Sequence, residues 1–200
     1  MMEIEKWLND VLEKKNKRAM PIITFPAATK LNISVKKLIN DTDQQVAALK
    51  IIKEECNPLA ILGFMDLSVE AECFGAEIKV TDNEVPTVVG QLIEDEDDAQ
   101  ALKVPAVGSG RSQLYIDAIK KTKAEIKDIP ILGGCIGPFS LAGRLMDVSE
   151  AMINCYEEPE MVHIVLEKAT KFLIDYISAY KEAGADGILM AEPLAGVLSP

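Results

Sequence analysis

Apolar residues recur every three to four positions in four stretches of the chain, the spacing that places them on one face of a helix. The first stretch lies in a leading segment, residues 1–18. The spacing predicts helices over 3–17, 42–56 and 112–127, and a longer helix from Pro159 to just before Gly184. Proline suits the first helical position and glycine the position after the last turn, so both ends of the longest helix are marked.

Short apolar runs lie between these helices, at residues 20–25, 58–65, 130–136 and 186–192. None of the four runs alternates between apolar and polar residues, so each predicts a strand that is covered on both faces. Strands of this kind that alternate with helices form a parallel sheet with helices packed against it.

Residues 70–93 follow a different pattern, with short alternating segments that Gly75 and Pro86 interrupt. This pattern predicts a small antiparallel insertion. The acidic run 94–98 predicts the start of a short helix that ends near Lys103, because carboxylates favour a helix N-terminus.

The order of the elements fits two α/β architectures, a doubly wound sheet and a (β/α)8 barrel. Neither G-x-G-x-x-G nor G-x-x-x-x-G-K-[ST] follows a predicted strand, so a nucleotide-binding doubly wound sheet has no support. A barrel carries its catalytic groups at the carboxyl ends of its strands. Three predicted strands end at Asp66, at Gly137-Pro138-Phe139 and at Glu192. We therefore predict a TIM barrel.

The chain is short for a complete barrel. A (β/α)8 barrel takes about 250 residues, whereas four core strands and the insertion already occupy all 200 residues. We therefore expect residues 1–200 to form about the first half of a single barrel domain. Such a chain is a truncated piece, a proteolytic fragment, or a half that pairs with another chain.

The charge of the chain restricts its partners. It has 32 acidic and 21 basic residues, a net charge of −11, and arginines only at positions 18, 111 and 144. It therefore lacks the positive surface that nucleic acids require. No apolar run approaches the roughly 20 residues of a membrane helix, and we find no secretory signal. We expect a cytoplasmic protein whose four cysteines are free thiols.

The strand-end carboxylates Asp66 and Glu192 are candidates for catalysis, because a carboxylate after an apolar strand is hard to bury unless it is paired or faces a pocket. The structural alternatives are a helix N-cap for Asp66 and a rim salt bridge for Glu192. Arg111 either binds an anion near the barrel mouth or forms a surface ion pair. Cys135 fits better as a core residue, and His163 as a half-exposed helix residue.

Four segments that together span nearly the whole chain resemble the uroporphyrinogen decarboxylase superfamily, which includes the corrinoid-dependent methyltransferases. The segments are FMDLSVEAE with FGAE at 64–77, GGCIGPFSLA at 133–142, EPEMVH at 158–163, and EAGADG with EPLAGVLSP at 182–200. The family fold is a (β/α)8 barrel, which agrees with the architecture predicted from the strand ends.

The loop after the first predicted strand distinguishes the branches of this superfamily. Decarboxylases carry arginines there that recognise the porphyrinogen carboxylates, whereas residues 25–32 contain none. An octacarboxylate needs cationic, preferably bidentate, partners. Arg144 also stands where decarboxylases place a tyrosine after the Gly-Pro-Phe turn. With its strand-end Glu192-Pro193, the chain is most similar to the methylcobamide:coenzyme M methyltransferases.

This resemblance implies transfer of a methyl group from a methylated corrinoid protein to coenzyme M or a related acceptor such as tetrahydrofolate. It also implies zinc, which binds the acceptor thiol and lowers its pKa. The family's His-x-Cys zinc motif is absent from the chain, so we expect the ligands outside it and expect these 200 residues alone to be inactive. Asp66 and Glu192 are then the catalytic residues, and Phe25, Phe139 and Arg111 bind the substrate.

Two other functions stay open: a uroporphyrinogen decarboxylase of porphyrin biosynthesis, and a non-catalytic half-barrel that serves as a binding or assembly module. For the methyltransferase we expect a small-molecule acceptor and a corrinoid protein as partners. The second half of the barrel or another copy of the chain is the further expected partner.

Overall fold

The computed structural model describes residues 4–198. Its strands are β1 (Ile61–Leu62), β2 (Glu77–Lys79), β3 (Thr87–Val89), β4 (Ile131–Ile136) and β5 (Gly187–Ala191). Its helices are α1 (Ile4–Glu13), α2 (Ala27–Leu31), α3 (Val35–Ile39), α4 (Thr42–Cys56), α5 (Val69–Phe74), α6 (Glu96–Ala101), α7 (Ser112–Glu125), α8 (Pro138–Met146), α9 (Val148–Glu157) and α10 (Pro159–Glu182). A short 3-10 helix follows at Ala195–Val197.

The centre of the fold is a parallel sheet in the order β1–β4–β5. Ile61 lies opposite Ile131, and Leu132 lies opposite Gly187. All six residues of β4 are buried, as expected for the middle strand of a parallel sheet. The carboxyl ends of the three strands therefore lie at one edge of the sheet.

The two faces of the sheet are covered differently. On one face α4 packs against β1, and α7 and α10 pack against β4. The other face carries a small apolar cluster in which Trp7 of α1 packs against Ala60, Leu62 and Leu132. The leading helix predicted over 3–17 thus packs on this face; it ends at Glu13, and residues 1–3 lie outside the described part.

The longer helices form where the periodicity places them, because their ends are locally stabilised. Asp41 caps α4 by accepting hydrogen bonds from the N–H groups of Asp43 and Gln44. Pro159 begins α10, and Gly184 follows its end with a φ of +97°, which suits glycine.

The insertion is confirmed in part. β2 and β3 pair antiparallel, with Ile78 opposite Val88. The region before them is helical, however, because residues 69–74 form α5, whose Val69, Ala71 and Phe74 are buried. The acidic run begins α6 as predicted, with Asp95 as the N-cap.

The predicted strand over 20–25 is wrong. These residues are irregular and lead through a turn into α2. Pro21 has no N–H for a strand ladder, and one backbone bond, from Leu59 N–H to the Ala19 carbonyl (2.7 Å), joins this end of the segment to the chain before β1. Ile22 and Ile23 are exposed. The described sheet therefore has three strands instead of four.

Two further strands differ from the prediction. The strand expected over 58–65 is regular only at Ile61–Leu62, and β5 is half-buried instead of covered on both faces. β5 lies at the edge of the described sheet, which leaves Met190 44% exposed. Within residues 4–198, no helix is both long and apolar enough to span a membrane.

Candidate functional site

Asp66 and Glu192 lie at the same edge of the sheet. Glu192 directly follows β5, and Asp66 follows the extended chain after β1. Because the strands are parallel, both residues lie beyond carboxyl ends. Their hydrogen bonds nevertheless place them in two separate clusters, which we call the Asp66–Arg111 cluster and the Glu192 clamp.

The Asp66–Arg111 cluster is a buried ionic network, in which Asp66 is 3% and Arg111 6% exposed. The Arg111 guanidinium pairs with the Asp66 carboxylate and, at 2.7 Å, with Glu72. It also donates to the Ser68 hydroxyl at 3.0 Å, and the Tyr115 hydroxyl donates to Asp66 at 2.8 Å. The proposed surface ion pair of Arg111 is therefore wrong, since this pair is buried.

The electrostatics of this cluster keep Arg111 charged. Burial opposes the charge on Arg111, but the neighbouring Asp66 and Tyr115 and the second carboxylate Glu72 hold the arginine pKa above its usual value. Burial and the Asp66 charge raise the pKa of Tyr115 well above its usual value, so its hydroxyl keeps the proton that it donates. The guanidinium is committed to carboxylates of the chain itself.

The Glu192 clamp joins the end of β5 to the start of α8. Its carboxylate accepts hydrogen bonds from the N–H groups of Phe139 (2.9 Å) and Ser140 (2.8 Å) and from the Ser140 hydroxyl. A negative charge at a helix N-terminus is favourable. Gly137 is needed here because a Cβ at this position would overlap the Glu192 carboxylate. Glu192 therefore stabilises the turn that follows β4.

The two phenylalanines predicted to bind substrate belong to different clusters. Phe25 packs edge-on against Phe64 (ring centroids 5.8 Å apart), which in turn packs edge-on against Tyr115 (6.2 Å). Phe25 also lines a cleft of about 400 Å³ that Asp82 borders from the insertion. Phe139 lies at the clamp and is 6% exposed.

Sequence reasoning missed Glu70, which is 2% exposed and lies on α5. Its Oε1 atom accepts a hydrogen bond from the Ile136 N–H at 3.0 Å. The sequence signal that could have identified Glu70 is a carboxylate placed between the apolar residues Val69 and Ala71, four residues after Asp66.

The thiols of Cys73 and Cys135 lie near Glu70 but form none of the hydrogen bonds of the two clusters. Cys135 is buried as expected for a core residue, and burial raises the pKa of its thiol to about 12. Burial likewise raises the pKa of the Cys73 thiol to about 11. His163 is exposed on α10. Among residues 4–198, no group of three or more His, Cys, Asp or Glu side chains is placed to hold a metal ion.

Comparison with known proteins shows the same family relationship along nearly the whole chain. The model of the uroporphyrinogen decarboxylase family matches residues 16–200. Methylcobamide:CoM methyltransferase MtbA of Methanosarcina acetivorans is 35% identical over 133 residues, which cover 65% of this chain and 39% of the relative. MtaA of Methanosarcina barkeri is 32% identical over 138 residues, 67% of this chain and 41% of the relative.

A decarboxylase is also similar: uroporphyrinogen decarboxylase of Coxiella burnetii is 28% identical over 150 residues, 70% of this chain and 40% of the relative. Among solved structures, a methyltransferase from Methanosarcina mazei matches with a TM-score of 0.84 and 25% identity, over 100% of this chain and 62% of that one. The fold is thus that of this barrel superfamily, and the chain spans about two fifths of the curated relatives.

Proposed function

Because the chain belongs to the uroporphyrinogen decarboxylase family, we propose that it is part of a methyltransferase. The enzyme moves a methyl group from a methylated corrinoid protein to a thiol of the coenzyme M type, with tetrahydrofolate as the alternative acceptor. The names of the similar Methanosarcina proteins support the corrinoid donor and the coenzyme M acceptor.

The observation that best supports this proposal is that Arg111 is already paired with carboxylates of the chain. A porphyrinogen with many carboxylates needs free cationic partners, but the guanidinium beside Asp66 is taken up by Asp66 and Glu72. The loop 25–32 adds no arginine and instead contributes Phe25 to the cleft beside the insertion. These features favour a small acceptor over a polyanionic tetrapyrrole.

In this proposal the residues of the chain orient the reactants. The buried Asp66 carboxylate, bonded to Arg111, Ser68 and Tyr115, fixes the chain that follows β1, and Glu192 holds the turn at Phe139. Side chains held in this way lose little freedom when the reactants bind, which is how orientation lowers a barrier.

Zinc would make the acceptor thiol a reactive thiolate at neutral pH. The described residues do not fit such a site. Cys135 and Cys73 keep their protons because burial raises the pKa of both thiols, and His163 lies on the exposed side of α10. We therefore propose that the zinc ligands lie outside residues 4–198.

The second candidate function is decarboxylation of uroporphyrinogen. The similarity to the Coxiella decarboxylase supports it, as does an aspartate after β1 that matches the family motif. It would require the carboxylates of the substrate to find cations other than Arg111.

The test offers both substrates to the same preparations: the chain alone, and the chain joined to the part of the M. acetivorans relative outside the matched residues. We expect the joined protein to methylate coenzyme M from methylcobalamin in a zinc-dependent reaction, and to leave uroporphyrinogen unchanged. Turnover of uroporphyrinogen without methylation of coenzyme M would replace this proposal with the second candidate.

A further inference from the structure

Glu70 occupies a position that neither cluster explains. Its Oε1 atom accepts from Ile136 N–H, the last N–H of β4. The backbone N–H groups of successive residues in a strand point to opposite neighbouring strands. Gly137 N–H points to β5, because it donates to the Ala191 carbonyl at 2.7 Å. Ile136 N–H therefore faces the β1 side, where β1 has ended at Leu62. Glu70 supplies the acceptor that β1 is too short to provide.

This bond connects the two clusters. Glu70 lies on α5, four residues after Asp66 in the chain. The residues that follow Ile136 form the turn whose Phe139 and Ser140 N–H groups donate to Glu192. A single carboxyl group thus links the helix behind Asp66 to the turn that Glu192 holds.

The other oxygen of Glu70, Oε2, is buried and has no hydrogen-bond partner among the described residues. Glu70 lines a narrow cavity together with Asp66, Tyr115 and Tyr176, and this cavity has no room for a water molecule. A carboxylate charge in such a place costs several kcal/mol or more unless it is paired. Burial, reinforced by the Asp66 charge, raises the pKa of Glu70 to about 7. The backbone N–H groups of Ile136 and of Glu70 itself, and the charge of Arg111, oppose this rise.

The groups around Glu70 do not supply a free positive charge. Arg111 acts on it from a distance but is paired with Asp66 and Glu72. The remaining titratable groups that interact with Glu70 are thiols and phenols, which burial keeps in their neutral forms: Cys73, Cys135, Tyr176 and Tyr180.

We propose that Glu70 is a positioning residue that works as an uncharged carboxylic acid. In that form it holds the end of β4 and so fixes the turn at Phe139 relative to Asp66. Loss of its proton above neutral pH places an unpaired charge in the cavity and so destabilises the folded chain. The inference concerns the chain itself and does not depend on the reaction assigned to it.

The test compares Glu70→Gln, which keeps an oxygen acceptor for Ile136 but cannot ionise, with Glu70→Leu, which keeps only the approximate size. Glu72→Gln on the same helix is the control. In the wild-type chain at pH 6 we expect an infrared band of a protonated carboxyl group that disappears as the pH rises through about 7. The band should be absent from Glu70→Gln and retained in Glu72→Gln.

Denaturant unfolding over pH gives a second readout. A Glu pKa raised from 4.5 to about 7 on folding means that the folded state holds the extra proton between these values. The unfolding constant of the wild type should therefore rise, relative to Glu70→Gln, by up to about tenfold per pH unit in that window. Above pH 8 the two curves should run parallel.

Hydrogen exchange at the amides of Ile136 and Phe139 tests the positioning role. We expect protection in Glu70→Gln to match the wild type at pH 6, and Glu70→Leu to exchange at least tenfold faster. Should Glu70→Leu not fold, the infrared and pH comparisons with Glu70→Gln still decide the matter. The proposal would be overturned if the unfolding constants of wild type and Glu70→Gln depended on pH in the same way from pH 4 to 9. It would also be overturned if the infrared band of the protonated carboxyl group survived in Glu70→Gln.

Discussion

At the scale of single residues, the buried charges of Asp66 and Arg111 depend on each other. Each side chain is almost fully buried, and each finds its opposite charge 45 positions away in the sequence. Asp66 and Arg111 were predicted as site residues because Asp66 follows a predicted strand and Arg111 precedes a predicted helix. Their pairing was not predicted, because only the tertiary fold brings the two side chains together. For the same reason Glu70 was missed: its acceptor role exists only where β1 ends before β4.

Replacement of Arg111 by leucine leaves the Asp66 carboxylate buried without its cation. We expect the free energy of unfolding to fall by about 3–5 kcal/mol, as for other buried pairs that lose one partner. The control, Glu125→Gln, breaks the ion pair with Lys50, in which both side chains are about half exposed, and should cost far less because solvent screens the pair. Urea unfolding measures both, and equal losses would show that the Arg111 pair contributes no more than a surface pair.

At the scale of elements, helices were predicted more successfully than strands. α4, α7 and α10 show clear periodicity and local end signals, which do not depend on neighbours. A strand also needs a partner, and residues 20–25 lack a paired neighbour in the described sheet although their composition favours a strand. α8 and α9 went unpredicted because no separate periodic run marks the break between them at Asp147.

That break stores backbone strain. Asp147 has a φ of +69° and a ψ of 145°, a conformation that suits glycine, while its carboxylate caps α9 by accepting from Ser149 N–H at 2.8 Å. Asp147→Ala loses the cap and keeps the strain, so we expect a loss of roughly 1–2 kcal/mol. Asp147→Gly loses the same cap but relieves the strain, and its unfolding midpoint in urea should lie above that of the alanine variant. If the alanine variant had the higher unfolding midpoint, the claim that the Asp147 backbone is strained would be contradicted.

At the scale of the whole molecule, the sheet has an open side. β5 is an edge strand among the described residues, and Met190, Val197 and Leu198 near its carboxyl end are exposed. Such an edge readily pairs with another strand. We propose that further barrel strands cover it in a longer protein, in keeping with the relatives, of which the chain spans 39–41%.

The 200-residue chain alone should therefore self-associate through this side. We expect Met190→Lys to raise the monomer fraction in sedimentation velocity by placing a charge on the exposed strand. Leu12→Lys is the control, since Leu12 is 74% exposed and lies on α1, outside the sheet. If both substitutions raised the monomer fraction equally, the association would result from general surface hydrophobicity and not from the β5 edge.

The proposed methyl transfer at the carboxyl edge of the sheet is tested most directly by comparing the two ends of β5 in the joined protein. Glu192 follows its carboxyl end, whereas Asp186 precedes its amino end, where it pairs with Lys123 and accepts from Ile131 N–H at 2.9 Å. We predict that Glu192→Gln lowers the rate of coenzyme M methylation per folded molecule by up to about a hundredfold. Asp186→Asn should lower stability and leave that rate within a factor of two to three. Loss of rate in Asp186→Asn with full activity in Glu192→Gln would contradict the account.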